Sequence, residues 1–433
     1  MSEIIKNNIN GEYDEIEHLL YTKHSQTKKN GIEYIRDILR KMGDPHKRMG
    51  KIIHITGTNG KGSVAYITDA ILRSMGYKTA LYTSPHINQL TERIKINGND
   101  ISRGKFIELF HLVSKFSDKL SFFEMMTLIA FKYFENSVDY SIIEVGIGGM
   151  HDVTNVVEDT ELCFITSIGL DHTEILGPTK RDVAFQKAGI IKKNSVCVIP
   201  DLQYDLTNII DKKCKEENAR LVIVNDFFRI ESFNIDKKIM RVVNQKNGFG
   251  FDMNLLGVKQ TLNLSMVLTG LSEIGMRIND DVLENAMSSI SINCRFEVLR
   301  KKINGREKIF VFDGAHNPEA FSVFIDNLKF FGIKDPVLVF SILLTKDHRT
   351  VLKELKDSGI FKKVIITEIQ NPKKLSANFI ADELSKFTSD IDITVESELD
   401  MALMNACSVS DNVCVCGSFY LVSDALKIVK ESL

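Results

Sequence analysis

The sequence lacks any excess of one charge: 55 Lys and Arg stand against 57 Asp and Glu, a formal net charge of -2. A chain so balanced has no global field for gripping nucleic acid or an anionic membrane, so any anionic ligand must be held locally. Long apolar runs are missing as well. VLVFSILL at 337–344 is among the longest, far short of the roughly 20 residues of a helical membrane span. The opening MSEIIKNNINGEYDEIE has no basic flank leading into an apolar stretch, so the expected location is the cytoplasm. No CxxC pair occurs among the seven cysteines, at 163, 197, 214, 294, 407, 414 and 416, and the odd, scattered set reads as buried free thiols. Strand alternation puts Cys414 and Cys416 on one face. There is no long polar tract that must stay disordered: 44% of the residues are hydrophobic and 26% charged, the range of a globular chain.

What is present is a repeated strand-and-helix rhythm. At 433 residues the chain exceeds what one core usually serves, and two domains are expected. In the first series come KIIHIT (51–56), a glycine-rich turn with a helix near 61–75, KTALYTS (78–84), DYSIIEV (139–145), LCFITSI (162–168), a helix within 180–192 and SVCVI (195–199). These runs are rich in β-branched residues without polar alternation, as expected of parallel strands covered on both faces. A second α/β series starts after Arg295 with KIFVFD, a helix from Pro318, PVLVFSILL, KKVIITEI, DITVE and NVCVCGSFYLV. The boundary falls near 291–296, and residues 200–260 read as mixed strands and turns without an assignable motif.

The strongest chemical signal is HITGTNGKGSV at 54–64. Its glycines let the backbone turn and aim amides at phosphate oxygens, the following helix start adds positive potential, and Lys61 reaches the β- and γ-phosphates. A plain glycine turn would need neither the lysine nor the hydroxyl of Ser63. The spacing departs from GxxxxGK[ST], because Gly62 separates Lys61 from Ser63. Glu144 ends an apolar strand and runs into Gly146, Gly148 and Gly149, placing a carboxylate where open α/β sheets bind ligands. A hard oxygen there suits Mg2+. His172 follows Asp171 at the end of SIGLDH, and Asp171 reads either as an orienting group for the imidazole or as a turn residue. FDGAHNP (312–318) makes a strand-to-helix turn in the second series.

On these residues the sequence resembles the Mur ligase superfamily. GTNGKGS, unlike the GTNGKT-type ending of its peptidoglycan-building members, is similar to the folylpolyglutamate and dihydrofolate synthase branch. Further blocks agree in order: TSPHINQLTERIKING (83–98), SFFEMMTLIAFKYF (121–134), EVGIGGMHDVTNV (144–156), SIGLDHTEILGPT (167–179), AFQKAGIIK (184–192), FDGAHNP and GSFYLV (417–422).

The resemblance implies an α/β architecture: a P-loop-type ATPase domain with a central, mainly parallel sheet and substrate-binding elements over 1–295, and a smaller Rossmann-like glutamate-ligase domain over 296–433. It implies ATP and Mg2+, with ATP contacts from Gly57, Thr58, Asn59, Gly60, Lys61, Gly62, Ser63, Asn263, Arg295, Asp313 and His316, and metal contacts from Ser84, Glu144 and His172. Catalytic roles fall to Lys61, Lys187 and His172, and the acid substrate meets Asp152, Thr154 and Asn155. Lys187, in AFQKAGIIK, matches a position where the family carbamylates a lysine. Its neighbours Ala184, Phe185, Ala188, Ile190 and Ile191 favour a partly desolvated amine over a solvated lysine like Lys180, Lys192 or Lys193. The expected partners are small molecules only: folate or dihydropteroate, L-glutamate and ATP, taken by a monomer with no nucleic acid and no membrane. Departures from the family pattern are Met150 for arginine, Lys259 for histidine, and Asn293-Cys294 for Pro-Gly. The segment 24–45 is a candidate wall of the pterin pocket, with Ile32, Ile35 and Leu39 as packing residues. Which acid is used stays open, as do two other readings: a different Mur-type amide ligase, or a non-catalytic nucleotide-dependent regulatory module.

Overall fold

The computed structural model describes residues 2–26 and 30–433, with side chains for 9–22 and 30–433. Residues 27–29 of the segment expected to shape the pterin pocket therefore lie outside the described residues. Ile35 and Leu39 in the same segment are buried in the core. The chain divides into two compact units, one built from 1–168, 173–226 and 262–286, the other from 169–172, 227–261 and 287–433. These units interleave along the sequence, whereas the expected division at 295/296 is a single cut.

The first unit holds an eight-stranded sheet of β1 (Lys51–Thr56), β2 (Thr79–Tyr82), β3 (Ile94–Ile96), β4 (Asn99–Asp100), β5 (Tyr140–Glu144), β6 (Leu162–Ile165), β7 (Val196–Pro200) and β8 (Arg220–Val224). Their spatial order is β4-β3-β2-β5-β1-β6-β7-β8. All neighbours are parallel except at β3 and β4. The central strands β2, β5 and β6 are buried along their whole length, which is why their sequences show no polar alternation. One core cluster gathers Tyr82, Phe106, Phe131 and Phe134, and another gathers Val145, Ile165, Val183, Ile190 and Ile210. Burying each such side chain contributes about 1.5–3 kcal/mol.

The second unit holds a three-stranded antiparallel sheet of β9 (Phe228–Asn234), β10 (Ile239–Asn244) and β11 (Gly250–Met253). Its six-stranded sheet comprises β12 (Glu297–Ile303), β13 (Arg306–Asp313), β14 (Val337–Phe340), β15 (Lys363–Ile366), β16 (Asp392–Val395) and β17 (Asn412–Cys416), in the order β12-β13-β17-β14-β15-β16. Only β12 is antiparallel. The small sheet is tied to this unit by Phe233, whose ring lies 4.9 Å from Phe331 and 5.6 Å from Phe330. All seven cysteines are buried and free. No helix among the described residues is long and apolar enough to cross a membrane.

Candidate functional site

In the first unit, β1 ends at Thr56 and the chain turns through Gly57–Gly60 into the helix Lys61–Ser74. Gly60 caps that helix at φ 87°, left-handed backbone that a side chain resists, and a Cβ there would stand 3.2 Å from Asn263 Oδ1. Asn263 thus lies against the loop. Lys61 folds back over its own turn, donating to Gly57 O at 2.9 Å and Thr58 O at 3.3 Å. The loop is braced from the end of β6. Thr166 Oγ1 donates to Asn59 O at 2.6 Å, and Ser167 Oγ accepts from Asn59 N at 2.8 Å. Thr166 and Ser167 escaped the sequence reading, although hydroxyls ending a strand beside a glycine loop are a usable signal.

Glu144 ends β5 next to β2, and its buried carboxylate accepts the Ser84 backbone N–H at 3.0 Å. Ser84 and Glu144 therefore meet at the strand ends, and a hydroxyl and a carboxylate are the hard oxygen donors that suit Mg2+. His172 belongs to the other unit. Among the described residues no group of three or more His, Cys, Asp and Glu could hold a metal.

After Glu144 the glycines continue into a short turn of helix, Val153–Val156, capped by Asp152. Asp152, Thr154 and Asn155 are all buried and are engaged with their own loop. Asp152 Oδ1 accepts from Thr154 N at 3.0 Å and Thr154 Oγ1 at 2.7 Å, while Oδ2 accepts from Ile147 N at 3.0 Å. Asn155 Nδ2 donates to Met150 O and Gly189 O, both at 3.1 Å. Below them His54 of β1 is fully buried with Nε2 3.0 Å from Thr154 Oγ1. Burial first, and Lys192 second, hold its pKa down to about 3.

The glycine loop rests on the end of the helix Lys180–Ala188. A Cβ on Gly149 would come within 2.7 Å of Gln186 O and 3.0 Å of Lys187 O, so no larger residue fits. Lys187 itself is 3% exposed, as a desolvated amine requires. Two parts of its expected setting are corrected. Phe185 is 56% exposed and turns outward, because successive helix positions point about 100° apart. Lys192 is half-buried, its pKa lowered by burial and by Arg36, and so is no example of a solvated lysine.

In the second unit Asp171 is a charge hub. Lys346 Nζ donates to its Oδ1 at 2.7 Å and Oδ2 at 3.0 Å, Asn317 Nδ2 donates to Oδ2 at 3.1 Å, and His316 Nε2 lies 3.5 Å away. Burial by itself would raise the Asp171 pKa, but the His316 hydrogen bond and the Lys346 charge together hold it well below the usual carboxylate range. His316 is pulled the other way, lowered by burial and then by Lys346. Asp171 is held ionised because Lys346 grips both its oxygens. His172 sits at φ 51°, uncommon left-handed backbone for a non-glycine residue, and its Nε2 accepts from Lys346 Nζ at 3.3 Å.

The turn after β13 brings Asp313 and His316 near Arg295 and Phe419. Asp313 accepts from Phe296 N and Ala315 N, and burial pushes it up to about 6 against the opposing pull of Arg295. The Arg295 guanidinium stands 4.8 Å from the Phe419 ring centre and the His316 ring 5.5 Å. Sequence reasoning reaches Phe419 only as part of GSFYLV and misses Lys346, which lies in the loop after β14.

Against this geometry two family models match: the Mur ligase middle domain over residues 55–270, and the Mur ligase glutamate ligase domain over 294–419. A probable bifunctional folylpolyglutamate synthase/dihydropteroate synthase of Haloferax volcanii is 30% identical over 96% of this chain and 50% of that protein. The chain thus spans about half the length of that relative, and of a Halobacterium salinarum protein of the same description. The dihydrofolate synthase/folylpolyglutamate synthase of Bacillus subtilis is 28% identical over 93% of this chain and 95% of its own. Among solved structures, a Thermotoga maritima folylpolyglutamate synthase superposes with a TM-score of 0.80 at 28% identity, covering 97% of each chain. A bifunctional folylpolyglutamate synthase/dihydrofolate synthase with Mn, AMPPNP and L-glutamate bound shares the fold at a TM-score of 0.78 and 24% identity, over 94% of this chain and 96% of that one.

Proposed function

The chain belongs to the Mur ligase superfamily and, within it, to the folylpolyglutamate and dihydrofolate synthase family, and from that membership we propose that it joins L-glutamate to the carboxylate of a folate, a dihydropteroate or both, at the expense of ATP. The observation that carries this reading is the loop Gly57–Ser63 with Lys61 at a helix N-terminus, in the same unit as the paired Ser84 and Glu144. In the proposed reaction a carboxylate oxygen of the acid attacks the γ-phosphorus and ADP leaves. The glutamate amine then attacks the acyl carbon and phosphate leaves.

Lys61 and the amides at the start of its helix neutralise the transferring phosphoryl group, with Asn263 beside the loop. Ser84, Glu144 and His172 are the residues that would hold a divalent cation, and that ion would supply further charge neutralisation at the phosphate oxygens. Arg295, Asp313 and His316 serve the nucleotide, while Asp171 keeps Lys346 and His172 oriented. Asp152, Thr154 and Asn155 shape the loop that receives the acid substrate. Residues 1–295 form the ATP-handling part and 296–433 the glutamate-ligase part, working as a monomer on small molecules.

We assign Lys187 a carbamate. A neutral lysine amine that takes up carbon dioxide loses a proton and becomes a carbamate anion, which would offer an oxygen ligand to a divalent cation. Intact-mass analysis in bicarbonate detects the added carboxyl, and formate or acetate partly restores Lys187→Ala. An unmodified lysine with a near-normal alanine variant returns Lys187 to a packing role.

The deciding experiment is a coupled ADP-release assay with dihydropteroate and with tetrahydrofolate, each with and without glutamate. ADP release that requires both an acid and glutamate supports the ligase. Release that is indifferent to them removes it.

A further inference from the structure

We infer that His54 is a positioning residue for the acid-substrate loop, acting through the Thr154 hydroxyl on the Asp152 carboxylate. This rests on the reading above that the loop carrying Asp152 receives the acid substrate. The Thr154 hydroxyl has one hydrogen, and at 2.7 Å it is spent on Asp152 Oδ1, an oxygen that only accepts when ionised. The 3.0 Å contact between His54 Nε2 and Thr154 Oγ1 must then run from the ring N–H to the hydroxyl oxygen. That fixes the Nε2–H tautomer and leaves Nδ1 a bare acceptor. His54 Nδ1 is fully buried and has no hydrogen-bond partner among the described residues.

An unpaired buried acceptor destabilises the strand that carries it. His54 sits in the middle of β1, flanked in the sheet by Ile143 and Cys163, where an aliphatic side chain satisfies every packing demand. The imidazole is therefore useful for what its N–H does. By donating to Thr154 it compels the hydroxyl hydrogen toward Asp152. Oδ1 then has two donors, and Oδ2 holds the Ile147 amide at 3.0 Å. Ile147 lies between Gly146 and Gly148, so the chain His54, Thr154, Asp152, Ile147 pins a glycine loop that has little rigidity of its own. A second tie runs from the same strand: Thr56 Oγ1 donates to Gly148 O at 2.5 Å. β1 thus holds the glycine loop at two points, while the phosphate loop has its own brace in Thr166 and Ser167.

The separation of the two braces gives the test. His54→Leu and Thr154→Val should each raise KM for the acid substrate about tenfold and leave KM for ATP within about twofold, because only the acid-binding loop loses its anchor. His54→Leu should also keep or raise Tm, since it removes an unpaired buried nitrogen, whereas a merely structural histidine would lose stability and both affinities together. His54→Gln, which keeps a side-chain N–H at similar reach, should bring KM most of the way back. The double variant should show little more than the larger single effect. An unchanged acid KM in His54→Leu, or equal loss of both KM values with a falling Tm, overturns the relay. Should wild type turn over no folate or pteroate, the substrate reading fails separately. The relay is then judged by nitrogen NMR of the imidazole, where a neutral Nε2–H signal perturbed by Thr154→Val sustains it and a Nδ1–H signal removes it.

Discussion

At the scale of single residues, two side chains give direct tests. Lys61 donates to two carbonyls of its own turn and is only half-buried, outside the apolar core. Lys61→Ala should lower ADP formation about 100-fold or more, the scale for removing a charge that faces a transferring phosphoryl, with Tm unchanged. Turnover at the wild-type rate would dismiss the phosphate role. Asp313 makes a prediction in pH. Its native pKa is pushed up to about 6, above the unfolded value, so between about pH 4 and 6 the native state keeps a proton that the unfolded chain has lost. Its contribution to stability is complete below about pH 4 and is lost as the pH rises through about 6. Asp313→Asn has no such proton, so the Tm of the variant minus that of wild type should increase between pH 4 and 6 and level off above about 7. Parallel Tm curves would show that Asp313 titrates normally.

The element that matters most is the helix Lys180–Ala188. It is only nine residues long, too short to persist by propensity alone. Thr179 starts it with a reciprocal capping box: Asp182 N donates to Thr179 Oγ1 at 3.2 Å, and Thr179 N donates to Asp182 Oδ2 at 3.0 Å. Its far end carries Lys187 and rests on Gly149. Thr179→Ala should cost about 1 kcal/mol in a denaturant titration. A loss within error would mean that packing of Val183, Ala184 and Ala188 alone sets this helix. The strands, by contrast, were readable from composition, because a parallel strand buried on both faces must be apolar throughout.

For the molecule as a whole, the interleaving of the units has a consequence for fragments. A chain cut at 295/296 separates β9–β11 from the elements they cover, where Phe233 packs on Phe330 and Phe331 and Val258 N donates to Asn327 Oδ1 at 2.8 Å. Residues 296–433 expressed alone should expose those rings and aggregate, or melt below a version in which 227–261 is joined back on. Equal solubility and Tm for the two would show that the small sheet adds nothing to the unit.

By itself the sequence determined the strand-turn-helix of residues 51–74, the glycine loop after Glu144 and the turn at 312–318, because turn chemistry and apolar periodicity act over a few neighbouring residues. It also placed the family blocks in order. Only the tertiary structure decided that Asp171 meets Lys346, 175 residues away, that residues 227–261 pack with the second unit, that Lys187 turns inward while Phe185 turns out, and that His54 reaches Thr154, 100 residues on. Pairings at such separations are set by which strands the topology makes neighbours. A local pattern of residue types carries no information about that choice.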